Sequence, residues 1–192
     1  MSIRSVFFYD ILMKQHPLHQ FLFCPVCGHQ TFVVHNEKAK ECTHCGFVYY
    51  FNPLSAVACF IRNEAGELLL VRRAKEPGKG TLDLPGGFVD MYESAEEAAA
   101  REVKEETGLQ IDHCQYLFSI PNIYPYKGFE VHTVDMFFEC HVKQFSQAQA
   151  ADDAAEIVIR QPASLQPDDF GLTSIRQAIR RYQEMNRQEA NQ

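Results

Sequence analysis

The stretch Gly87-Phe-Val-Asp-Met-Tyr-Glu93-Ser-Ala-Glu-Glu-Ala-Ala-Ala-Arg101-Glu102-Val-Lys-Glu105-Glu106-Thr-Gly108-Leu109 decides the reading of this chain. Ser94 followed three residues later by Glu97 is a capping box, so a helix starts there. Ala95, Ala98, Ala99 and Ala100 propagate it, and Gly108 is a natural stop. At about 100° per residue, Glu106 falls about 40° to one side of Glu102 and Glu105 about 60° to the other. Three carboxylates therefore share one face of the last two turns. Local physics opposes this, since like charges at i,i+3 and i,i+4 each cost a few tenths of a kcal/mol. The carboxyl end of a helix disfavours anions by roughly 0.3–1 kcal/mol more. A hard divalent cation, Mg²⁺ or Mn²⁺, would resolve the conflict, because it prefers carboxylate oxygen and keeps waters that a phosphate can displace. A merely solvated acidic face is the plainer alternative, and the adjoining Gly-Gly loop and Glu93 argue against it.

Outward from the helix, residues 56–61 and 68–71 are apolar runs joined by Asn63-Glu-Ala-Gly66, a hairpin signal. Residues 82–84 make a short strand ending at Pro85-Gly86-Gly87. Residues 116–120, 131–142 and 156–159 read as further strands. In residues 131–142, Val134, Met136, Phe138, Cys140 and Val142 alternate with Asp135, Phe137, Glu139 and His141. Leu172, Ile175, Ile179 and Tyr182 line one face of a closing helix over residues 172–185. Strands before and after one helix, then a final helix, predict a mixed α/β sheet domain. Its expected span is 53–186, with a frayed tail over 187–192.

Upstream, Cys24-Pro-Val-Cys27-Gly28 and Cys42-Thr-His-Cys45-Gly46 are separated by 14 residues. A two-residue gap lets both sulfurs of a knuckle face one point, and the following Gly permits the turn around the ion. Cys24, Cys27, Cys42 and Cys45 thus predict a closed, structural zinc site in a ribbon over residues 21–50. Two disulfides or a pair of redox motifs are the competing readings; the knuckle match and the lack of an export signal favour zinc. His29, His35 and His44 are reserve ligands. Cys59 and Cys140 read as small buried hydrophobes, and Cys114 carries no signal.

The whole chain has 192 residues, 46% of them apolar and 22% charged, which excludes disorder and low-complexity scaffolds. No apolar run approaches the roughly 18 residues that span a bilayer. Residues 1–20 are an amino-terminal extension whose apolar part, residues 6–13, is interrupted by Asp10 and too short for a secretory signal. Met13 serves as a start as well as Met1. With 18 Lys+Arg against 25 Asp+Glu the net charge is −7, against a protein that lives by neutralising nucleic-acid phosphates. Residues 87–109 alone hold −5 of that charge. Four metal thiolates and three free thiols point to a reducing cytoplasm.

Residues 87–109 match the Nudix box at every defined position, and Leu68-Leu-Leu-Val-Arg-Arg73 and Leu84-Pro-Gly-Gly87 resemble the same family. The resemblance implies a Nudix α/β/α sandwich with a mixed sheet and hydrolysis of a nucleoside diphosphate linked to another moiety. It implies that Glu102, Glu105 and Glu106 hold Mg²⁺ or Mn²⁺, helped by the Gly86 carbonyl, and that Arg101 holds Glu93. The general base varies in the family; Glu105 and Glu156 are the candidates. Arg72 or Arg73 would reach substrate phosphate, while the other covers the sheet.

A zinc ribbon ahead of this box resembles the NADH pyrophosphatase group and relatives acting on ADP-ribose or FAD. The former carry Ser-Gln-Pro-Trp-Pro-Phe-Pro after the box; here the stretch is Ser119-Ile-Pro121-Asn-Ile-Tyr124-Pro125, and the chain has no Trp. Tyr124, Tyr126 and Phe129 are candidates to stack a base, with loop packing as the alternative. The expected partner is a nucleotide-containing small molecule, with a capped RNA end as the one nucleic-acid substrate and a homodimer, common in that group, as the assembly. Competing functions are a nucleoside triphosphate pyrophosphohydrolase and a nucleotide-sensing or nucleic-acid-binding regulator. Regulators of the family lose box carboxylates, and all four are kept here.

Overall fold

A computed structural model describes residues 16–126 and 128–189. The expectations for residues 6–13, for the start at Met1 or Met13 and for residues 190–192 lie outside the described residues. The chain divides into two compact units, Met1–Asn52 and Pro53–Gln192.

The first unit is an antiparallel meander of β1 (Phe32–Asn36), β2 (Ala39–Cys42) and β3 (Val48–Tyr50) in the order β1-β2-β3. Its apolar centre is Cys24, Phe32 and Cys42, flanked by Cys27 and Phe47. Gly28 and Gly46 follow the knuckles with φ of 74° each, and their N–H groups donate to the carbonyls of Cys24 and Cys42. So small a core leaves a metal as the main source of stability.

The second unit is built on one mixed sheet. It holds β4 (Leu54–Arg62), β5 (Leu68–Arg73), β6 (Leu82–Asp83), β7 (Gly86–Phe88), β8 (His113–Tyr126), β9 (Phe129–His141) and β10 (Ala154–Arg160). The order is β10-β5-β4-β9-β8, with β6 on β5 and β7 on β4. The β4–β9 pair is parallel; the other pairs are antiparallel. Helix α1 (Ala95–Thr107) and helix α2 (Thr173–Glu189) complete it. The closing helix thus runs past residue 185 and into the stretch expected to be a tail.

Each face of the sheet is apolar and each is covered by one helix. On one face Val57, Cys59, Leu69, Val71 and Phe138 meet Ala98, Ala99 and Val103 of α1. On the other Phe60, Leu70, Phe137 and Val158 meet Ile175, Ala178, Ile179 and Tyr182 of α2. Phe60 and Tyr182 stack with ring centroids 4.0 Å apart. Helix on sheet on helix is the α/β/α sandwich that the resemblance implied. Alternation in β9 therefore separates two buried faces; Phe137 and Phe138 are both fully buried.

The outer strand β8 runs far beyond the expected residues 116–120, through Pro121 and Pro125. Prolines are tolerated there because β8 is an edge strand, where missing donors face outward. The feature that positions the site lies between β4 and β5. They pair only at Ile61↔Leu69 and Arg62↔Leu68; beyond that β5 takes β6 and β4 takes β7 as neighbour. The sheet is split at that end, and the split opens a cleft.

Candidate active site

The phase of α1 is set by its first residues. Ser94 accepts from the Glu97 N–H at 3.2 Å while its own N–H donates to Glu97 Oε2 at 2.8 Å. At the other end Gly108, at φ 72°, returns its N–H to the Lys104 carbonyl. With both ends fixed, Ala98, Ala99 and Val103 face the sheet and the carboxylate face turns toward β7 and the split.

The three carboxylates are held unequally. Glu106 is 7% exposed and accepts from the Gly86 N–H at 3.2 Å. Burial pushes it from the ordinary 4.5 up to about 8, against the pull of that N–H, and Asp83, Glu102 and Asp153 add to the rise. Glu102 is also raised, first by burial, although Arg101 draws it down. Glu105 is the exposed member.

Gly86 and Gly87 are required by close approach. A Cβ on Gly86 would lie 2.1 Å from the Val57 carbonyl oxygen, and one on Gly87 would lie 2.3 Å from Glu102 Oε1. Gly86 meets α1 through its N–H, whereas the resemblance assigns its carbonyl to the metal.

Arg101 organises the outer side of this face. Its Nε and Nη2 donate to the two oxygens of Glu93 at 2.8 and 2.9 Å, and Nη2 also donates to the Phe88 carbonyl at 3.0 Å. Its Nη1 bridges Glu102 Oε1 at 2.8 Å and Glu105 Oε2 at 3.1 Å. Hydrogen bonds from Arg101, then from the Asp90 N–H, hold the Glu93 carboxyl below the usual carboxylate range. Arg101 Nη1 stands between Glu102 and Glu105, among the described residues no cation is hydrogen-bonded to Glu106, and the three carboxylates offer the oxygen donors that a hard cation takes.

The cleft is about 210 Å³ and runs from Glu106 past Gly86 and Gly87 to Asn122, Tyr124, Thr133 and Asp135. Arg73 is on its wall, with Nη1 donating to buried Asp83 and Nε to the Pro77 carbonyl at 2.6 Å. Burial alone would lower the Arg73 pKa; the Asp83 carboxylate, joined by Tyr124, more than offsets it and holds it above the ordinary value. Tyr124 lines the same wall, and the side chain of Tyr126 lies outside what is described.

Glu156, the other candidate base, is not among the residues that line the cleft. It stands across from Arg72 in the β10–β5 register and accepts from Arg72 Nε at 2.7 Å. Arg72 alternates with Val71, so the pair lies on the face that carries Leu70 and α2, away from α1. The acids of the preceding loop come nearer the box. The Ala151 N–H donates to the Glu106 carbonyl at 3.0 Å, and Asp153 lines the cleft, paired with Lys75. The buried acids Asp83 and Asp135 were missed because a single carboxylate inside a strand carries no motif; the polar interruption of an apolar run was the available signal.

In the ribbon, Cys24, Cys27, Cys42 and Cys45 place their sulfurs within 4.8 Å of one another, the one such cluster among the described residues. Cys24 and Cys45 sulfurs are 3.7 Å apart, and Cys27 and Cys42 sulfurs 3.6 Å. These separations suit four thiolates around one ion, not two disulfides. The Thr31 hydroxyl, 3.3 Å from Cys42 Sγ, favours the thiolate and pulls that thiol down to about 6. His29 and His44 stack on each other with centroids 3.6 Å apart and are not members of the cluster.

Comparison with known proteins agrees with this architecture. Residues 19–50 match the NADH pyrophosphatase zinc ribbon domain. A curated relative, the NAD-capped RNA hydrolase NudC of Haemophilus influenzae, is 36% identical over 124 residues, 61% of this chain and 46% of that protein. The protein of the same name from Escherichia coli O157:H7 is 34% identical over 54% of this chain and 39% of its own length. The chain thus spans less than half the length of these curated relatives. A NUDIX hydrolase from Nitrosomonas europaea has the same fold, with a TM-score of 0.66 at 24% identity over 84% of this chain and 90% of its own. Residues 52–182 match the NUDIX domain, and the chain belongs to the Nudix family.

Proposed function

We propose that this chain is a Mg²⁺- or Mn²⁺-dependent pyrophosphatase that hydrolyses the diphosphate linkage of a nucleoside diphosphate derivative of the NADH, ADP-ribose or FAD type to two monophosphates. The observation that carries the reading is the approach of the Glu102, Glu105 and Glu106 face to the Gly86-Gly87 strand at the mouth of the cleft. Glu102, Glu105 and Glu106 are the proposed ligands, with the Gly86 carbonyl as a fourth donor. Bound there, the cation neutralises pyrophosphate charge and orients a water. Glu105, the exposed carboxylate, is the proposed general base. Glu93 and Arg101 are positioning residues that keep the strand of Gly86 against α1. Arg73 and Tyr124 line the cleft and are proposed to contact substrate, together with Tyr126.

The ribbon over 21–50, its structural zinc on the four cysteines and a hydrolase domain over 53–186 complete the proposed organisation. A homodimer and a reducing cytoplasmic setting belong to the same proposal, supported by the resemblance and by seven cysteines that form no disulfide. No helix among the described residues is long and apolar enough to cross a membrane.

A second reading, removal of a nucleotide cap from an RNA end, is favoured by the relatives named NAD-capped RNA hydrolase. It uses the same bond chemistry at the same carboxylates. The distinguishing experiment is a product panel with Mg²⁺ or Mn²⁺ over NADH, FAD, ADP-ribose, a nucleoside triphosphate and a 5′-NAD-capped RNA. Two monophosphates from a dinucleotide support the first reading. Released inorganic pyrophosphate would assign a triphosphate enzyme instead, and no turnover on any of the five would leave a non-catalytic nucleotide sensor.

A further inference from the structure

The inner end of the cleft holds a carboxylate that the reading above does not use. Asp135 is 8% exposed and lines the cleft. Its Oδ1 accepts from Thr133 Oγ1 at 2.5 Å, and Thr133 is 4% exposed. A carboxylate offers about four lone-pair positions, so one neutral donor leaves most of them unmet. Arg73, the cation on the cleft wall, is already spent on Asp83 and on the Pro77 carbonyl. The second oxygen of Asp135 is open to the cleft, where a donor on a bound molecule can reach it.

The surroundings narrow what that is. Asn122 stands directly across from Thr133 on β8, and Ala56 directly beside Asp135 on β4, where its small side chain leaves room. Ala58, Leu84 and Ile175 add apolar walls, so the inner end is an apolar slot with a polar floor. That shape suits the edge of a planar base better than a sugar ringed by hydroxyls. At about 210 Å³ the cleft is smaller than the roughly 300–1,000 Å³ of a site for a whole drug-sized ligand.

We propose that Asp135, oriented by Thr133 and flanked by Asn122, is a specificity residue that accepts a hydrogen bond from an exocyclic N–H₂ group on the substrate's base. This deepens the pyrophosphatase reading and rests on it for the identity of the substrate. Adenine and nicotinamide both carry such a group, as an amine and as a carboxamide, and both occur in NADH. A base presenting a carbonyl or carboxylate oxygen there would face Asp135 with acceptor against acceptor and be rejected.

The test is calorimetric binding of two matched pairs of mononucleotides to the full chain with Mg²⁺ present. One pair is AMP and IMP; the other is nicotinamide mononucleotide and nicotinic acid mononucleotide. The wild-type protein is expected to bind the N–H₂ member of one pair about tenfold more tightly or better. In Asp135→Asn that ratio should fall to about one, since the amide donates to the oxygen of the disfavoured member. The pair that responds identifies the base. Thr133→Val, which removes the hydroxyl that donates to Asp135, should reduce the same ratio in part. Equal affinities within both pairs in the wild type, or a ratio unchanged in Asp135→Asn, would overturn the assignment. Hydrolysis of ADP-ribose, NADH and FAD, measured alongside, separates the two claims. A ratio that responds without hydrolysis defeats only the catalytic reading, and hydrolysis with an unresponsive ratio defeats only the role of Asp135.

Discussion

Arg101 Nε lies 2.8 Å from Glu93 Oε1, and Arg101 Nη2 lies 2.9 Å from Glu93 Oε2, a two-pronged contact between the second turn of α1 and the loop that precedes its cap. The same guanidinium also takes hold of the Phe88 carbonyl, so one side chain ties the helix to β7 on both sides of the loop. The planar fork of arginine fits this arrangement, and a lysine ammonium would satisfy only part of it. Replacing Arg101 by Met is therefore expected to lower kcat/KM by about tenfold to a hundredfold through loosened geometry, with the fold retained. Steady-state kinetics beside a thermal melt checks this. A structural role alone would move the melt and leave kcat unaffected.

The buried Glu106 links metal binding to pH. Its folded pKa, about 8, stands above the ordinary 4.5, so between those values the folded, metal-free protein binds more protons than the unfolded chain. Stability of the metal-free protein should then fall as pH rises from about 5 to 8. Glu106→Gln removes the titrating group and is expected to flatten that part of the profile. Mg²⁺ at pH 8 should raise the wild-type melting temperature, because the ion replaces the proton, and should raise that of the variant much less. Melting curves at several pH values, with and without Mg²⁺, provide the check.

Glu156 gives the opposite expectation. It pairs with Arg72 on the sheet face under α2, and both side chains are well exposed. Exposed pairs of this kind contribute about 0–1 kcal/mol. Glu156→Gln should leave kcat within about twofold of wild type, as expected of a surface change distant from the chemistry. A loss comparable to that in a Glu105 variant would make Glu156 the base instead.

The zinc ribbon should behave as a metal-dependent unit. Its apolar centre of Cys24, Phe32 and Cys42 is too small to hold three short strands by itself. Metal binding in such units supplies on the order of 10–16 kcal/mol. Chelation, or Cys42→Ser, is expected to make residues 21–50 sensitive to protease while the unit from Pro53 onward stays resistant. Mapping the first cleavage sites by mass spectrometry decides it.

Much of this arrangement is legible in the sequence, and particular residues explain why the rest is not. Local signals carried the helix: the Ser94–Glu97 box, the alanines and Gly108 act within one or two turns, so their consequences follow from spacing. The four cysteines were legible for the same reason. The side that Glu156 takes is not legible in the sequence, because it depends on strand parity and a bulge between Ala154 and Glu156 shifts the register. The full length of β8 is not legible in the sequence because its prolines mean different things at the edge and at the centre of a sheet, and strand order is a tertiary fact. Asp83 and Asp135 become neighbours of one cleft only through the splitting of β4 from β5, which no local pattern encodes.

The central claim is that the carboxylate face of α1 carries out phosphoanhydride hydrolysis. The most direct measurement is cleavage of ADP-ribose, NADH and FAD by the full chain with Mg²⁺ or Mn²⁺, set beside Glu105→Gln and Glu106→Gln variants of unchanged fold. The expected result is two monophosphates from at least one of these substrates, with a loss of about a hundredfold or more in each variant. Wild-type protein that cleaves none of them, or variants that retain full activity, would contradict the account.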